Sequence, residues 1–197
     1  FMAEALYGPD GFYTIAGRAG RRGDFITSPE VGPLFGAVLA RWIDAEFERL
    51  GRPDAFTVVE VGAGPGTLAR SVLSAAPHWS GRYVCVEVSD EQRASHPDGV
   101  TSVAAMPDQP MVGVVIANEL LDNLPFRWLR RTEDGFRELR VGVDADGARF
   151  VEVDGPCDPD LAALAGEVPV GGDAFVSPAA LTLVDDLATW LRRGVVV

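Results

Sequence analysis

Val58-Val59-Glu60-Val61-Gly62-Ala63-Gly64-Pro65-Gly66-Thr67 joins a run rich in β-branched residues to a glycine-dense turn, and the turn opens straight into an amphipathic stretch. Few folds accommodate that order. The apolar run suits a strand buried on both faces, and glycines at 62, 64 and 66 allow φ > 0 and close approach of a ligand to the backbone. A second apolar run, Tyr83-Val84-Cys85-Val86, ends in Glu87. Strand, glycine turn, helix and a second strand tipped by an acid make a nucleoside-binding half of a doubly wound α/β fold. The acid matters because one carboxylate can accept hydrogen bonds from both hydroxyls of a ribose.

The detail of the turn separates adenosine cofactors. A dinucleotide fingerprint needs G-x-G-x-x-G, and Thr67 stands where its third glycine would be. Pro65 removes an N–H from the loop, and Glu60 would repel a pyrophosphate. A cation suits these residues better. S-adenosylmethionine carries a sulfonium and an ammonium, so the E-V-G-x-G-x-G form favours it over a nicotinamide or flavin. Gly62, Gly64 and Gly66, with Thr67 and Asn118 nearby, are expected to hold its methionine part, and Glu87 its ribose. Two readings stand for Glu60: it accepts loop N–H groups or a water near the ammonium, or it is a buried structural acceptor.

Chain-wide properties exclude several classes. The 197 residues suit one domain, 47% hydrophobic and 23% charged, with no uninterrupted apolar run long enough to span a bilayer. Net charge is −12, and arginine supplies every cation because the chain has no lysine. That balance argues against nucleic acid and against an anionic membrane surface as partners. Cys85 and Cys157 lack metal or redox spacing and read as reduced thiols of a cytosolic protein. No cluster has metal-ligand spacing, and His78 and His96, in predicted loops beside prolines, are not expected to be catalytic. Both ends read as cut, since Phe1 opens what looks like a helix tail and Val195-Val196-Val197 a strand just begun.

Along the chain, residues 1–51 read as an N-terminal loop and helix, 52–125 as the cofactor-binding core, 126–155 as an inserted β-meander, and 156–197 as helices and the start of strand five. Leu34, Phe35, Val38, Leu39, Trp42, Ile43, Phe47 and Leu50 recur at helical spacing and predict a stripe packed on a sheet, stopped by Gly51. This helix starts either at a Thr27–Glu30 capping box or one turn later at Gly32-Pro33. Strands are expected at about 56–61, 82–87, 100–104 and 112–117, with a short helix near 90–95. Alternating runs at 126–132, 136–143 and 148–153, separated by turns ending in Asp-Gly, predict the meander. Helices are expected at about 158–166 and 177–193. The fold class is therefore α/β, a doubly wound Rossmann-like sheet with an inserted antiparallel meander, read as C-terminally truncated.

Four segments in order, Leu6-Tyr7-Gly8-Pro9-Asp10-Gly11-Phe12-Tyr13, Gly23–Glu30, Glu60–Thr67 and Asn118-Glu119-Leu120-Leu121-Asp122-Asn123-Leu124-Pro125, resemble the MidA-type family of class I S-adenosylmethionine-dependent methyltransferases. The resemblance covers nearly the whole chain. It implies transfer of a methyl group to an arginine of a protein substrate, as in the family's mitochondrial complex I assembly factor, and a location that is cytoplasmic in bacteria and mitochondrial in eukaryotes. It also implies that Asp24, Thr27, Ser28 and Glu30 belong to a lid; capping of the following helix explains them equally. Asn118-Glu119 leaves strand four at the carboxyl edge, where open α/β sheets place ligands. Glu119 is the expected acceptor-side carboxylate and Asp122 the second, at i, i+3 on one face of a helical turn. A helix cap or a hydrogen bond to the Pro125 turn is the alternative for Asp122. Beside arginine methylation stand two other functions, a SAM-binding assembly factor with weak or no catalysis and a small-molecule methyltransferase.

Overall fold

The structure, a computed structural model, describes residues 1–14 and 28–197, and its contacts divide into two compact units. The expectations on Asp24 and Thr27, and on the side chains of Ser28 and Glu30, lie outside what is described.

One unit comprises residues 6–123 and 183–197. Five parallel strands build it: β1 (Phe56–Val61), β2 (Tyr83–Val86), β3 (Val100–Val103), β4 (Met111–Ile116) and β9 (Leu191–Val196), in spatial order β3-β2-β1-β4-β9. The order reverses between β1 and β4, which makes a topological switch point where the carboxyl ends of those two strands open a crevice. β1 and β4 are buried over nearly their whole length because helices cover both faces. Phe56, Val58, Tyr83, Cys85, Val114 and Ile116 pack under α3 (Pro33–Arg49) and α4 (Thr67–Ala75). Val59, Val61, Val86, Met111 and Val115 meet Leu187 and Trp190 of α7 (Pro178–Trp190) on the opposite face.

Pro33 opens α3, and the extended Gly32 separates it from a single helical turn, α2 (Ser28–Val31), so the later of the two starts is the observed one. The expected stripe is corrected in part. Leu34 and Val38 are exposed, while Gly36, Ala40 and Ile43 form the buried face. Close packing on α4 decides this: a Cβ at Gly36 would fall 2.4 Å from the Cβ of Ser71, so small residues take the contact and larger ones turn outward. The last helix is also shorter than expected. α7 ends at Trp190, and Leu191–Arg193, expected to be helical, already pair with β4 as β9. Arg193 then donates from Nη2 to the carbonyl of Leu50 at 2.7 Å.

The other unit comprises residues 1–5 and 124–182. The predicted meander is present as β5 (Arg127–Thr132), β6 (Gly135–Val143) and β7 (Phe150–Pro156). A fourth strand not expected from the sequence, β8 (Asp173–Val176), pairs antiparallel with β5 and makes the order β7-β6-β5-β8. Leu129 and Val176 pack there against Leu161 of α6 (Pro159–Leu164), whose Asp158 N-cap accepts from the N–H of Asp160. Glu138 is buried between Arg127 and Arg140, and the Arg127 hydrogen bond, followed by that of Arg140, holds its carboxyl below the usual range.

Candidate active site at the switch point

The turn after β1 is built against the end of β2. Gly62 and Ala63 both donate to the carbonyl of Val86, at 2.9 and 3.1 Å, so the loop continues the ladder for two residues past the strand. Gly62, Gly64 and Gly66 have φ of +72°, +53° and +76°, the left-handed region that favours glycine. Gly66 is the N-cap of α4 and Thr67 its first residue. A Cβ at Gly62 would lie 2.9 Å from Leu120 Cδ1, so the turn also touches the loop after β4.

Glu87 closes the turn from the neighbouring strand. Its Oε2 accepts from the N–H of Gly64 at 2.9 Å, and its Oε1 accepts from the N–H of Ser89 at 2.9 Å. A carboxylate has about four lone-pair sites, so two bonds leave capacity for hydroxyls of a ligand. The glycine turn and the acid at 87 thus meet at one carboxyl edge.

His96, expected in a loop without a catalytic role, is tied to this turn. Its Nε2 lies 2.8 Å from the carbonyl of Gly64; a carbonyl only accepts, so Nε2 carries the proton and donates. In the neutral ring Nδ1 is then an acceptor, and Ser102 Oγ stands 2.8 Å from it as the donor. The peptide groups on both sides of Gly64 are therefore held, by Glu87 at its N–H and by His96 at its carbonyl. Arg70 adds bonds to the carbonyls of Gly66 and Ser95. No spacing in the sequence pointed to His96, because residue 64 and residue 96 meet only through the pairing of β1 with β2.

Glu60 lies elsewhere. It is buried, with Oε2 accepting from the Tyr83 hydroxyl at 2.8 Å and a further bond to the backbone of Ala69 on α4. This is the arrangement of a buried structural acceptor, the second of its two readings. Burial is the main reason its pKa rises to about 7, against the two hydrogen bonds.

The loop after β4 differs from the helical turn expected. Glu119 is one of two non-glycine residues among those described with positive φ, at +50°. Only Leu121–Asn123 form a 3-10 turn, so Glu119 and Asp122 do not share the helical face that their i, i+3 spacing predicts. Both are exposed, and Asn118 is half-buried in the same loop. A non-glycine residue in that region is strained, and such strain clusters at functional sites.

Two tyrosines from the N-terminal segment share this edge. Tyr7 and Tyr13 stack with centroids 5.5 Å apart. Burial raises both phenol pKa values; Glu87 adds to the rise at Tyr7, and Tyr7, Asp122 and Glu87 add to it at Tyr13. The Tyr7 hydroxyl donates to the carbonyl of Asn123 at 3.0 Å, which ties the N-terminal segment to the loop after β4.

A five-stranded parallel sheet of this order, with a glycine turn and an acid at the switch point, has the class I methyltransferase architecture. Residues 38–197 match the family described as "Putative S-adenosyl-L-methionine-dependent methyltransferase", and the chain belongs to that family. It is 31% identical over 190 residues to the mitochondrial protein arginine methyltransferase NDUFAF7 of Homo sapiens, covering 77% of this chain and 43% of that protein. The homologue of Drosophila melanogaster is 31% identical over 183 residues, 76% of this chain and 42% of its own length. A crystal structure from Burkholderia thailandensis, described as a "likely methyl transferase" bound to S-adenosyl-homocysteine, superposes with a TM-score of 0.84 at 33% identity over 99% of this chain and 55% of that one. The chain thus spans less than half the length of these two curated relatives. S-adenosylmethionine is the cofactor of the family. Among the described residues no cluster could hold a metal ion, and no helix is long and apolar enough to cross a membrane.

Proposed function

We propose that this protein methylates an arginine side chain of a protein substrate, with S-adenosylmethionine as donor. The observation that carries the reading is the meeting of the glycine turn, Glu87 and the loop bearing Glu119 at one carboxyl edge; the acceptor class comes from the names of the relatives. The turn fits the cofactor. Its glycines hold a left-handed backbone with no side chains of their own, Glu87 retains acceptor capacity for ribose hydroxyls, and the N-terminus of α4 favours the anionic carboxylate of an amino-acid moiety. Gly62, Gly64, Gly66 and Thr67 would hold the amino-acid part, with Asn118 beside it.

When bound, the cofactor supplies an electrophilic methyl carbon on a sulfonium sulfur. The acceptor presents a difficulty, because a guanidinium with pKa above about 12 is a poor nucleophile. Glu119, with Asp122 from the same loop, would grip the planar fork of the guanidinium and draw positive charge away from the reacting nitrogen. That nitrogen forms its bond to carbon as the carbon–sulfur bond breaks, then gives up one proton to a carboxylate or to water. Holding the nitrogen in line is an entropic contribution that these carboxylates make before the bond forms.

Isothermal titration with S-adenosylhomocysteine tests the cofactor site, and Glu87→Ala should weaken binding at least tenfold. Tritiated S-adenosylmethionine, added with the protein to a lysate lacking it, should label an acceptor at arginine. Glu119→Gln should reduce labelling at least a hundredfold with S-adenosylhomocysteine affinity retained. Binding without any labelled protein would instead favour an assembly role, and a labelled small molecule would move the acceptor class.

A further inference from the structure

Tyr7, the last residue of α1 (Met2–Tyr7), reaches across 116 positions of sequence to the loop after β4, where its hydroxyl donates to the carbonyl of Asn123 at 3.0 Å. Asn123 passes the restraint on. Its Nδ2 donates to the carbonyl of Glu119 at 2.6 Å, and its N–H to the carbonyl of Leu120 at 3.1 Å. Glu119 is the residue with φ +50°, a state that a side-chain-bearing residue keeps only where its surroundings over-determine it. The chain of bonds therefore ends on the one strained residue of the loop.

Tyr7 is itself well anchored. Its ring stacks on Tyr13 at an interplanar angle of 28°, and the N–H of Tyr13 donates to the carbonyl of Leu6 at 2.9 Å. The intervening turn is closed by Gly11 donating to Gly8 at 2.9 Å. A Cβ at Gly11 would fall 2.7 Å from backbone atoms of Leu6, Tyr7 and Gly8, so this turn admits no side chain there. With its pKa raised by burial and then by Glu87, the Tyr7 phenol stays protonated and remains a donor.

We propose that Tyr7 and Asn123 are positioning residues for the acceptor-side carboxylate: the Tyr7 hydroxyl, acting through Asn123, holds Glu119 in its left-handed conformation and so sets where that carboxylate is presented. The inference rests on the role given to Glu119 above. The Tyr7–Asn123 bond is solvent-exposed, so it contributes little to folding while governing the geometry of one loop.

Tyr7→Phe keeps the ring and its stack and removes only the hydroxyl. Amide hydrogen exchange over residues 118–124 should quicken at least fivefold, while the Kd for S-adenosylhomocysteine stays within threefold of wild type. Label transfer to the lysate acceptor should fall about tenfold in kcat with KM little changed. Asn123→Ala removes the second link without touching α1 and should reproduce both effects. The double variant should be no worse than the worse single, because the two act through one chain of bonds. Unchanged exchange over 118–124 in Tyr7→Phe, or additive losses in the double variant, would overturn the proposal. If wild type transfers no label to arginine, the methylation reading fails by itself, and the exchange data alone decide the latch.

Discussion

Glu60 ends up protonated near neutrality for a local reason. It sits on the face of β1 that α4 covers, away from bulk water, and its partners are the Tyr83 hydroxyl and the Ala69 backbone. In the unfolded chain it titrates near 4.5, and in the folded one at about 7. The folded pKa is the higher, so the contribution is fully present below pH 4.5 and is lost as pH rises through 7. That rise corresponds to about 3 kcal/mol. Glu60→Gln removes the titration and keeps an acceptor for Tyr83. Urea unfolding of both proteins at pH 5 and pH 8 should show the wild-type advantage over Glu60→Gln shrinking by about 2–3 kcal/mol between the two. A constant difference would mean that Glu60 is solvated in the folded protein. Tyr83, pushed well above its ordinary range by burial and then by Glu60, does not titrate in this window.

Strand pairing makes its own demand at Gly113 and Gly194. Thr57 of β1, Gly113 of β4 and Gly194 of β9 stand in one register row. The two glycines have φ of +149° and +156°, and a Cβ at Gly113 would fall 1.9 Å from the carbonyl oxygen of Thr57. Backbone in the middle of a sheet cannot move aside. Gly113→Ala should cost about 2–4 kcal/mol, against about 1 kcal/mol or less for Gly147→Ala, a positive-φ turn glycine with open space around it. Thermal unfolding of the two variants checks this, and equal melting temperatures would refute it. Elements defined by local pattern were legible in the chain: β1 and β4 by their apolar runs, the meander by alternation and Asp-Gly turns, α4 by its glycine entry. What escaped depends on distant partners. Asp173–Val176 holds four residues and becomes a strand only by pairing with β5, and Leu191–Arg193, good helix formers, follow β4 instead. At the candidate site, the meeting of the Gly62–Gly66 turn with Glu87 was readable from their spacing. The left-handed Glu119 and the hold of His96 on Gly64 were not, because both follow from tertiary contacts.

Across the whole chain, charge is the property that bears on the proposed basic acceptor. The excess of acids gives a net charge of −12, and the cations are all arginines, several already paired with acids, as Arg130 is with Asp173 and Arg137 with Asp154. A polyanion meets net repulsion, so labelled duplex DNA should show no binding at 50 mM salt. Under the proposed function, a basic acceptor would meet the opposite field and be steered toward the edge that carries the exposed Glu119 and Asp122. Attraction of that kind raises the encounter rate and is screened over a Debye length of about 10 Å at 0.1 M salt. S-adenosylhomocysteine is nearly neutral overall, so its binding should respond weakly to salt. Raising NaCl from 50 to 400 mM should therefore lower kcat/KM for a basic protein acceptor several-fold, through the association step, while the Kd for S-adenosylhomocysteine changes less than twofold. Equal salt sensitivity of the two would locate the effect in the cofactor site, and salt independence of both would assign acceptor recognition to short-range contacts around Glu119 alone.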